Sequence, residues 1–568
     1  MSASESPVSS PFARIALSLS GGGFRAAAYS LGTLKGLYLL GLLDNVHMLS
    51  TASGGTIAGA YYALRRKRGD EFPAIHDDFY RFLAQDQLLP NALARWEARL
   101  PTTGYKLIQA FADTYDALYD GATFGKFWEP DTGAAPFHLQ SIIFGATELY
   151  SGLTFRFQHS AFLPNPKGRT EDAYVVGNGN VRLPSEYARQ LRLGDVVAAS
   201  AGFPGGFEPL IMPDDFLTKP GVLKGLGKNA PARVALLDGG IYDNQGIDSL
   251  LLANDRNRKY APTAYQTHPP EQARLLEPTT LFLVADVSGA DKNLYPVPEA
   301  AKVPAASPTL GQVFWGLVAL LAGLLVGAGW LTLAPGTRFW GGLLAGLGVV
   351  LAGSVLALRW AWQQLGTVLS GVGEAVPGWM LPRLRRLSIA QLKELLELRA
   401  GSTWALLTSV FMRRVRSLTY EQLYRPVSKG QKPQYNVVSS IIGTIVTEHE
   451  RQLAQAGKKP GKPSVRKQLA AVYKTICTAQ EMPTTLWWQK HIGSLPAVVA
   501  SAEITLCYQL LRRFEKQPPT LPQDAEVQRR AQLLWAVYQA KPGQLLPPTA
   551  REVLAQPTGT VAQLLAML

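Results

Sequence analysis

The chain has 568 residues, 47% of them apolar and 17% charged, a composition that buries a large core and excludes a disordered polyelectrolyte. Two cysteines, Cys477 and Cys507, exclude a disulfide framework and suit a reducing compartment. The net charge of +14 is confined to residues 361–568, which hold 26 Lys and Arg against 12 Asp and Glu, so the first 360 residues are neutral.

Residues 1–11 lack a basic segment followed by an apolar run and read as a flexible tail rather than a secretory signal. Arg14–Ser20 (RIALSLS) is expected to be a buried strand. It runs into Gly21-Gly22-Gly23-Phe24-Arg25, and the following AAAYSLGTLKGLYLLGLL repeats apolar residues at helical spacing. Strand, glycine loop and helix aim backbone N–H groups at an anion. No Gly-Lys-Ser/Thr follows and the GxGxxG spacing is missing, which disfavours a nucleotide. The other use of such amides is an oxyanion hole.

A second strand–turn–helix follows, with Val46–Thr51 as strand, Ala52-Ser53-Gly54-Gly55 as turn and Thr56–Arg65 as helix. Small residues around Ser53 allow the sharp turn of a nucleophile elbow, although capping a helix is the commoner use of such a serine. Thr51 stands where the elbow pattern usually has glycine, whereas Gly55 keeps the glycine two residues after the serine.

Residues 80–130 are expected to be largely helical, and 163–185 and 203–232 to be loops. Phe203-Pro-Gly-Gly-Phe207 either flanks an acyl site or packs in the core. A serine hydroxyl needs a neighbouring base. His47, His76, His138, His159, His268, His449 and His491 sit in no recognisable motif and are expected to be structural. Val234–Asp238 (VALLD) instead ends a buried strand on a carboxylate beside Gly239 and Gly240, at the sheet edge where open α/β folds bind ligands. Asp243 suits turn hydrogen bonds. The strand TLFLVAD ends on Asp286, which is expected to support the active-site loops.

Beyond a Pro/Ala-rich linker, Val313–Leu333 and Phe339–Leu358 are uncharged. Each is about the 20 residues a helix needs to cross a bilayer, and Trp315, Trp330, Trp340 and Trp360 lie near the run ends. The short connection Ala334–Arg338 makes them a hairpin, with both flanks on one side of the membrane. Arg359, Arg383, Arg385 and Arg386 follow the second span, against Arg338 alone in the connection. The positive-inside rule then places both flanks in the cytoplasm, at the inner membrane if the source is bacterial. The basic surplus reads as attraction to anionic lipid, and no nucleic-acid partner is expected. Lys458–Lys462 reads as a basic surface loop, and there is no internal repeat and no metal-ligand spacing.

These motifs together resemble the patatin-like phospholipase family. Ser20-Gly-Gly-Gly-Phe-Arg25 is similar to its oxyanion loop, Thr51-Ala-Ser53-Gly-Gly55 to its elbow and Asp238-Gly-Gly240 to its aspartate motif. Further similar segments are Ala198–Pro204, 281–289, Phe411–Val415 and Ser501–Arg513, with the apolar hairpin inserted between two family-like stretches, roughly 13–290 and 390–515. The resemblance implies a three-layer α/β fold with a mainly parallel central sheet. It implies a Ser53–Asp238 dyad without histidine, an acyl-enzyme on Ser53 and an oxyanion hole from the Gly21, Gly22, Gly23 and Gly54 region. Arg25 either contacts a substrate phosphate or braces the loop. No cofactor or metal is implied, and the expected partners are membrane phospholipid and the bilayer.

The expected organisation is a tail (1–11), a catalytic domain (12–295), a linker (296–312), a transmembrane hairpin (313–358), a basic helical part completing the catalytic domain (359–515) and a C-terminal tail (516–568). The expected function is a membrane-anchored serine lipid acyl hydrolase of phospholipase A or lysophospholipase type. Acyl transfer or neutral-lipid hydrolysis by the same dyad, and a non-catalytic lipid-binding scaffold, stay open as alternatives.

Overall fold

The computed structural model describes residues 10–99, 104–131, 137–160, 176–216, 233–267, 277–287, 307–333, 336–371, 386–428, 435–440, 471–486 and 493–568. The expected basic loop at 458–462, the histidines His268, His449 and His491, residues 1–9 and most of the 296–312 linker lie outside them. The chain divides into two compact units, Met1–Lys292 with Met412–Leu568, and Asn293–Phe411.

Among the described residues, the larger unit is built on one nine-stranded sheet. Its centre is parallel, in the order β3 (Ser141–Glu148), β2 (Val46–Ala52), β1 (Ile15–Leu19), β8 (Leu281–Asp286) and β9 (Tyr435–Ser440). Beyond β3 the sheet turns antiparallel, through β4 (Thr154–Ser160) and β5 (Val176–Gly177) along one path. A second antiparallel path runs from β3 through β7 (Val234–Asp238) to β6 (Leu210–Met212). The strands buried on both faces read as near-continuous apolar runs, as parallel strands between helices must.

Side-chain alternation sorts the sheet into two cores. Leu17, Leu19, Leu49 and Leu283 point into the larger one, together with α1 (Gly23–Leu40), α2 (Gly54–Lys67), α3 (Phe72–Gln85) and α4 (Leu88–Ala98). The same core holds α5 (Leu107–Leu118) and α6 (Leu193–Ala201). Ala16, Met48, Ile143, Phe282 and Val284 point to the opposite face, against Ile247, Leu250 and Ala253 of α7 (Ile247–Thr267). Helix–sheet–helix is the three-layer architecture the motifs imply.

The second unit contains α8 (Leu310–Leu333) and α9 (Arg338–Gly371), which pack as a hairpin. Small residues let the helices approach: a Cβ on Gly341 would stand 2.6 Å from Thr332 and 3.0 Å from the Ala328 carbonyl. Gly311–Leu333 and Arg338–Trp360 each have a mean hydropathy of 2.1 over their most apolar stretch, only 6% and 11% of which is buried. The second helix runs on past the expected end at Leu358. At the base of the pair, Thr309 bridges Ser388, whose hydroxyl accepts the Gln391 amide and caps α10 (Ile389–Ala405). Residues 359–411 therefore belong with the hairpin, and only the part from Met412 onward belongs with the sheet, beginning with α11 (Met412–Ser428).

The C-terminal segment also differs from the expected tail. After α12 (Tyr473–Glu481) and α13 (Leu495–Lys516) comes α14 (Pro522–Ala540), and Val527, Leu534, Tyr538, Leu546, Leu554 and Leu564 are buried in the larger core. The Pro- and Gln-rich composition hid an apolar face spread over short helices. At the other terminus Ser10, expected in the tail, is buried and donates to Asp524. The Lys35 ammonium lies 3.1 Å from Glu503 with both side chains fully buried, and the Tyr538 hydroxyl donates to the other Glu503 oxygen at 2.6 Å. This pair and its phenol join α1, α13 and α14.

A buried pair punishes loss of one partner more than loss of both charges. Lys35→Met should lower stability to denaturant by about 3–5 kcal/mol, because it strands the Glu503 carboxylate. Adding Glu503→Gln, which keeps an acceptor for Tyr538, should recover most of that loss. A single variant as stable as wild type would remove the ion pair from the account of how the C-terminus docks.

Candidate active site

β1 and β2 are adjacent and parallel, and each is followed by a turn and a helix. That register brings the glycine loop after β1 beside the serine turn after β2. Contact between the two turns is close: a Cβ on Gly54 would stand 2.0 Å from the Gly23 carbonyl oxygen and 2.8 Å from the Gly23 nitrogen. Gly22 and Gly23 have φ of 140° and 57°, which side chains other than glycine rarely tolerate.

Ser53 sits at the N-terminus of α2 with φ 50° and ψ −125°, a conformation unusual for a residue with a side chain. It occupies the cap position, yet its hydroxyl makes no capping bond. Ser53 Oγ instead donates to Asp238 Oδ2 at 2.7 Å. The strained turn aims the hydroxyl away from its own helix, as a nucleophile elbow does.

Asp238 reaches this position because β7 lies antiparallel to β3, with Asp238 opposite Ala146. On this same edge of β3, opposite the edge held by β4, Gly145 pairs with Ala52, so β7 takes over where β2 leaves and Asp238 stands near the end of β2. Its other oxygen accepts the Gly240 amide at 2.7 Å. Burial pushes the Asp238 carboxyl up to about 6, against the hydrogen bonds from Ser53 and Gly240 that favour its charged form. A carboxylate poised there, bonded to a serine hydroxyl, has the geometry and the proton affinity of a general base.

The elbow's threonine has a steric explanation. Where the pattern usually has glycine, Thr51 packs its methyl against Gly59 of α2: a Cβ on Gly59 would stand only 2.6 Å from Thr51 Cγ2. The room a glycine strand residue would have left is supplied by a glycine on the helix. The Thr51 hydroxyl then enters a chain of short bonds, to Thr56 at 2.8 Å and from Thr56 to Ser200 at 2.7 Å. Ser200 gives its one proton to the Gly145 carbonyl at 2.6 Å and accepts the Ser53 amide at 3.2 Å. Ser200 thus holds the elbow backbone from α6, a role its sequence context alone did not reveal.

The glycine loop is divided in its uses. The Gly21 amide donates to the Asn244 carbonyl at 2.7 Å, so it is committed and unavailable as an oxyanion donor. The amides of Gly22, Gly23 and Gly54 have no partner among the described residues. Asn244 itself is 4% exposed, and its side-chain oxygen lies against both Gly21 and Gly240. It joins the loop that carries Asp238 to the loop that carries the free amides. Local turn composition does not encode such a long-range contact.

Arg25 takes the bracing use of the two the sequence left open. Its guanidinium donates to the carbonyls of Met482 at 2.7 Å, Val287 at 2.9 Å and Gln480 at 3.2 Å, and the side chain is 8% exposed. Turned inward, it has no exposed face for a phosphate. Burial and the nearby Arg416 lower its proton affinity to about 10, so it remains charged at neutral pH.

Asp286 supports the loops as expected of it. Fully buried, it accepts the Tyr420 hydroxyl at 2.6 Å and the Gln245 side chain at 3.5 Å, while Thr419 donates to the Gln245 oxygen at 2.9 Å. Tyr420 and Thr419 belong to α11, which is thereby fastened to the loop after Asp238. Asp243 accepts the Ser249 amide at 3.1 Å, the turn role expected for it. Phe207 packs edge-on against Phe111 at 4.8 Å.

The described histidines have other partners. His47 is buried between the Ile15 carbonyl and Thr279, and its proton affinity is pushed down to about 3, chiefly by burial. His76 contacts Asp77, His138 the Tyr62 hydroxyl and His159 the Trp128 ring. Among the described residues, no group of His, Cys, Asp and Glu has the arrangement of a metal site.

Comparison with known proteins agrees with this reading of the fold. No curated protein matches the chain. Residues 17–251 match the family model of patatin-like phospholipase, a span that begins in β1 and closes in α7. Residues 17–251 are thus a patatin-like phospholipase domain, the domain of a lipid acyl hydrolase.

Proposed function

We propose that the chain is a membrane-anchored lipid acyl hydrolase of phospholipase A or lysophospholipase type, in which Ser53 is the nucleophile and Asp238 its general base. The observation that carries the proposal is the 2.7 Å bond from Ser53 Oγ to a buried carboxylate, beside three uncommitted backbone amides.

In the proposed reaction Ser53 Oγ attacks the acyl carbonyl carbon as its proton passes to Asp238 Oδ2. The oxygen of the tetrahedral intermediate takes up negative charge and is held by the amides of Gly22, Gly23 and Gly54. They lie at the N-termini of α1 and α2, where the peptide dipoles add to the attraction. Each such donor contributes about 3–4 kcal/mol in comparable hydrolases. The intermediate collapses, the leaving alkoxide takes the proton from Asp238, and the acyl group stays on Ser53. Water then gives a proton to Asp238 and attacks the ester. Ser53 leaves with that proton, and a free fatty acid departs.

The two apolar helices support anchoring. By helical rise, Trp315 and Trp330 stand about 22 Å apart and Trp340 and Trp360 about 30 Å apart. All four rings are exposed, a spacing suited to the two interfaces of one bilayer. The flanking arginines favour a cytoplasmic position for both neighbouring regions. An enzyme tethered to the surface that holds its substrate works at raised effective concentration. The protein should stay with membranes after alkaline carbonate washing; release into the wash would remove the anchor from the proposal.

Fatty-acid release from mixed phospholipid vesicles should fall at least about a thousandfold in both Ser53→Ala and Asp238→Asn. Release that survives Ser53→Ala would move the nucleophile elsewhere. Because Asp238 must be ionised to accept a proton, kcat/KM should rise with pH through about 6 and level off above it.

The same carboxylate sets a stability test. Its proton affinity is raised from an ordinary 3.8 to about 6, so between these values the folded state binds the proton more tightly than the unfolded chain. The contribution of Asp238 to folding stability is therefore greatest below about pH 4 and is lost as the pH rises through about 6. Asp238→Asn should exceed wild type by on the order of 2–3 kcal/mol at pH 7, with the gap closing near pH 4. A gap independent of pH would mean that the charge of Asp238 is not its source.

A further inference from the structure

The larger unit exposes seven large apolar side chains among its described residues, and three of them fall within five positions: Leu149 at 51%, Tyr150 at 98% and Leu153 at 36%. They form the tip of the β3–β4 hairpin. β3 runs parallel to β2, with Gly145 beside Ala52, so it continues past the point where β2 turns into Ser53. Leu149 stands four positions further on, about 13 Å at the rise of a strand. Asp238 lies opposite Ala146 on the same strand. The apolar tip therefore projects from the sheet edge that carries Ser53 and Asp238.

The construction of the tip keeps these side chains outside. Glu148 is the only acidic or basic residue between 148 and 153, and it is 2% exposed. Its carboxylate turns back to accept the Tyr150 amide at 2.6 Å, the Ser151 amide at 3.1 Å and the Ser151 hydroxyl. Its own amide donates to the Leu153 carbonyl at 2.9 Å, and Gly152 closes the turn at φ 68°. A hairpin turn in water is ordinarily polar; this one hides its single charge and presents two leucines and a tyrosine.

We propose that residues 149–153 are a lipid-contacting tip that enters the headgroup–acyl boundary and seats the active edge of the sheet on the bilayer. The occupant is bilayer lipid because the domain acts on lipid, so this edge has to meet a lipid surface. Tyrosine beside aliphatic side chains is the composition that settles at that depth. The inference rests on the lipid-hydrolase reading of the site, but its test does not depend on the dyad.

The full chain, reconstituted in vesicles of phosphatidylcholine and phosphatidylglycerol, would carry a nitroxide at Tyr150→Cys, with Cys477→Ser and Cys507 left buried. The label should collide with oxygen dissolved in the lipid more than with a water-soluble nickel chelate, the reverse of a label at exposed Glu97→Cys. A label at 150 as open to nickel as the one at 97 would overturn the proposal. So would a label shielded from both probes, which would indicate a protein partner instead.

In parallel, Leu149→Asp with Tyr150→Asp should lose at least about tenfold in hydrolysis of vesicle phospholipid. Its hydrolysis of a short-chain, water-soluble ester should be unchanged. Wild-type rates on vesicles would overturn the tip, and equal losses on both substrates would assign these residues to the integrity of the site. If wild type hydrolyses neither substrate, the dyad reading fails while the label still decides the tip.

Discussion

The hydrogen bond from the Gly21 amide to the Asn244 carbonyl holds together two loops that the chain separates by more than two hundred residues. One carries the uncommitted amides of Gly22 and Gly23, the other descends from Asp238. Both must be in register for the proposed base and the proposed oxyanion site to face the same acyl carbonyl. The surrounding contacts serve this junction. Arg25 fastens the glycine loop to the carbonyls of Val287 and Met482, and α11 fastens the aspartate loop through Thr419, Tyr420 and Asp286.

Placing a carboxylate in this junction is costly. Asp238 is removed from water with one hydroxyl and one amide as its hydrogen-bond donors, and its proton affinity rises accordingly. The same desolvation that weakens the folded state strengthens the proposed base. The remainder of the unit offsets that cost by burying apolar surface on both faces of the sheet, and the C-terminal helices add to the larger core.

The local parts of the site were legible in the residues because each is a short strand–turn–helix whose glycines are required where they stand. Ser53, Asp238 and the glycine loop fall in motifs of that kind. What the motifs do not encode is how each group is occupied. Gly21 and Gly22 look alike as neighbours in one loop, yet the amide of the first is taken by Asn244. Arg25 reads as a phosphate ligand until three carbonyls claim it. Ser200 lies in the family-like segment Ala198–Pro204, but nothing in that segment's composition says that its hydroxyl holds the elbow backbone, and Gly59 compensates for Thr51 only because α2 packs on β2.

Local sterics and solvation set the elements: uninterrupted apolar runs become central strands or long apolar helices, and glycine clusters become turns. Partners and boundaries came from the packing of distant segments. That packing placed β7 antiparallel on β3, drew residues 516–568 into the core, and assigned 359–411 to the hairpin unit. Such outcomes depend on which surfaces meet, and contact between residues hundreds of positions apart leaves no periodicity for local patterns to register.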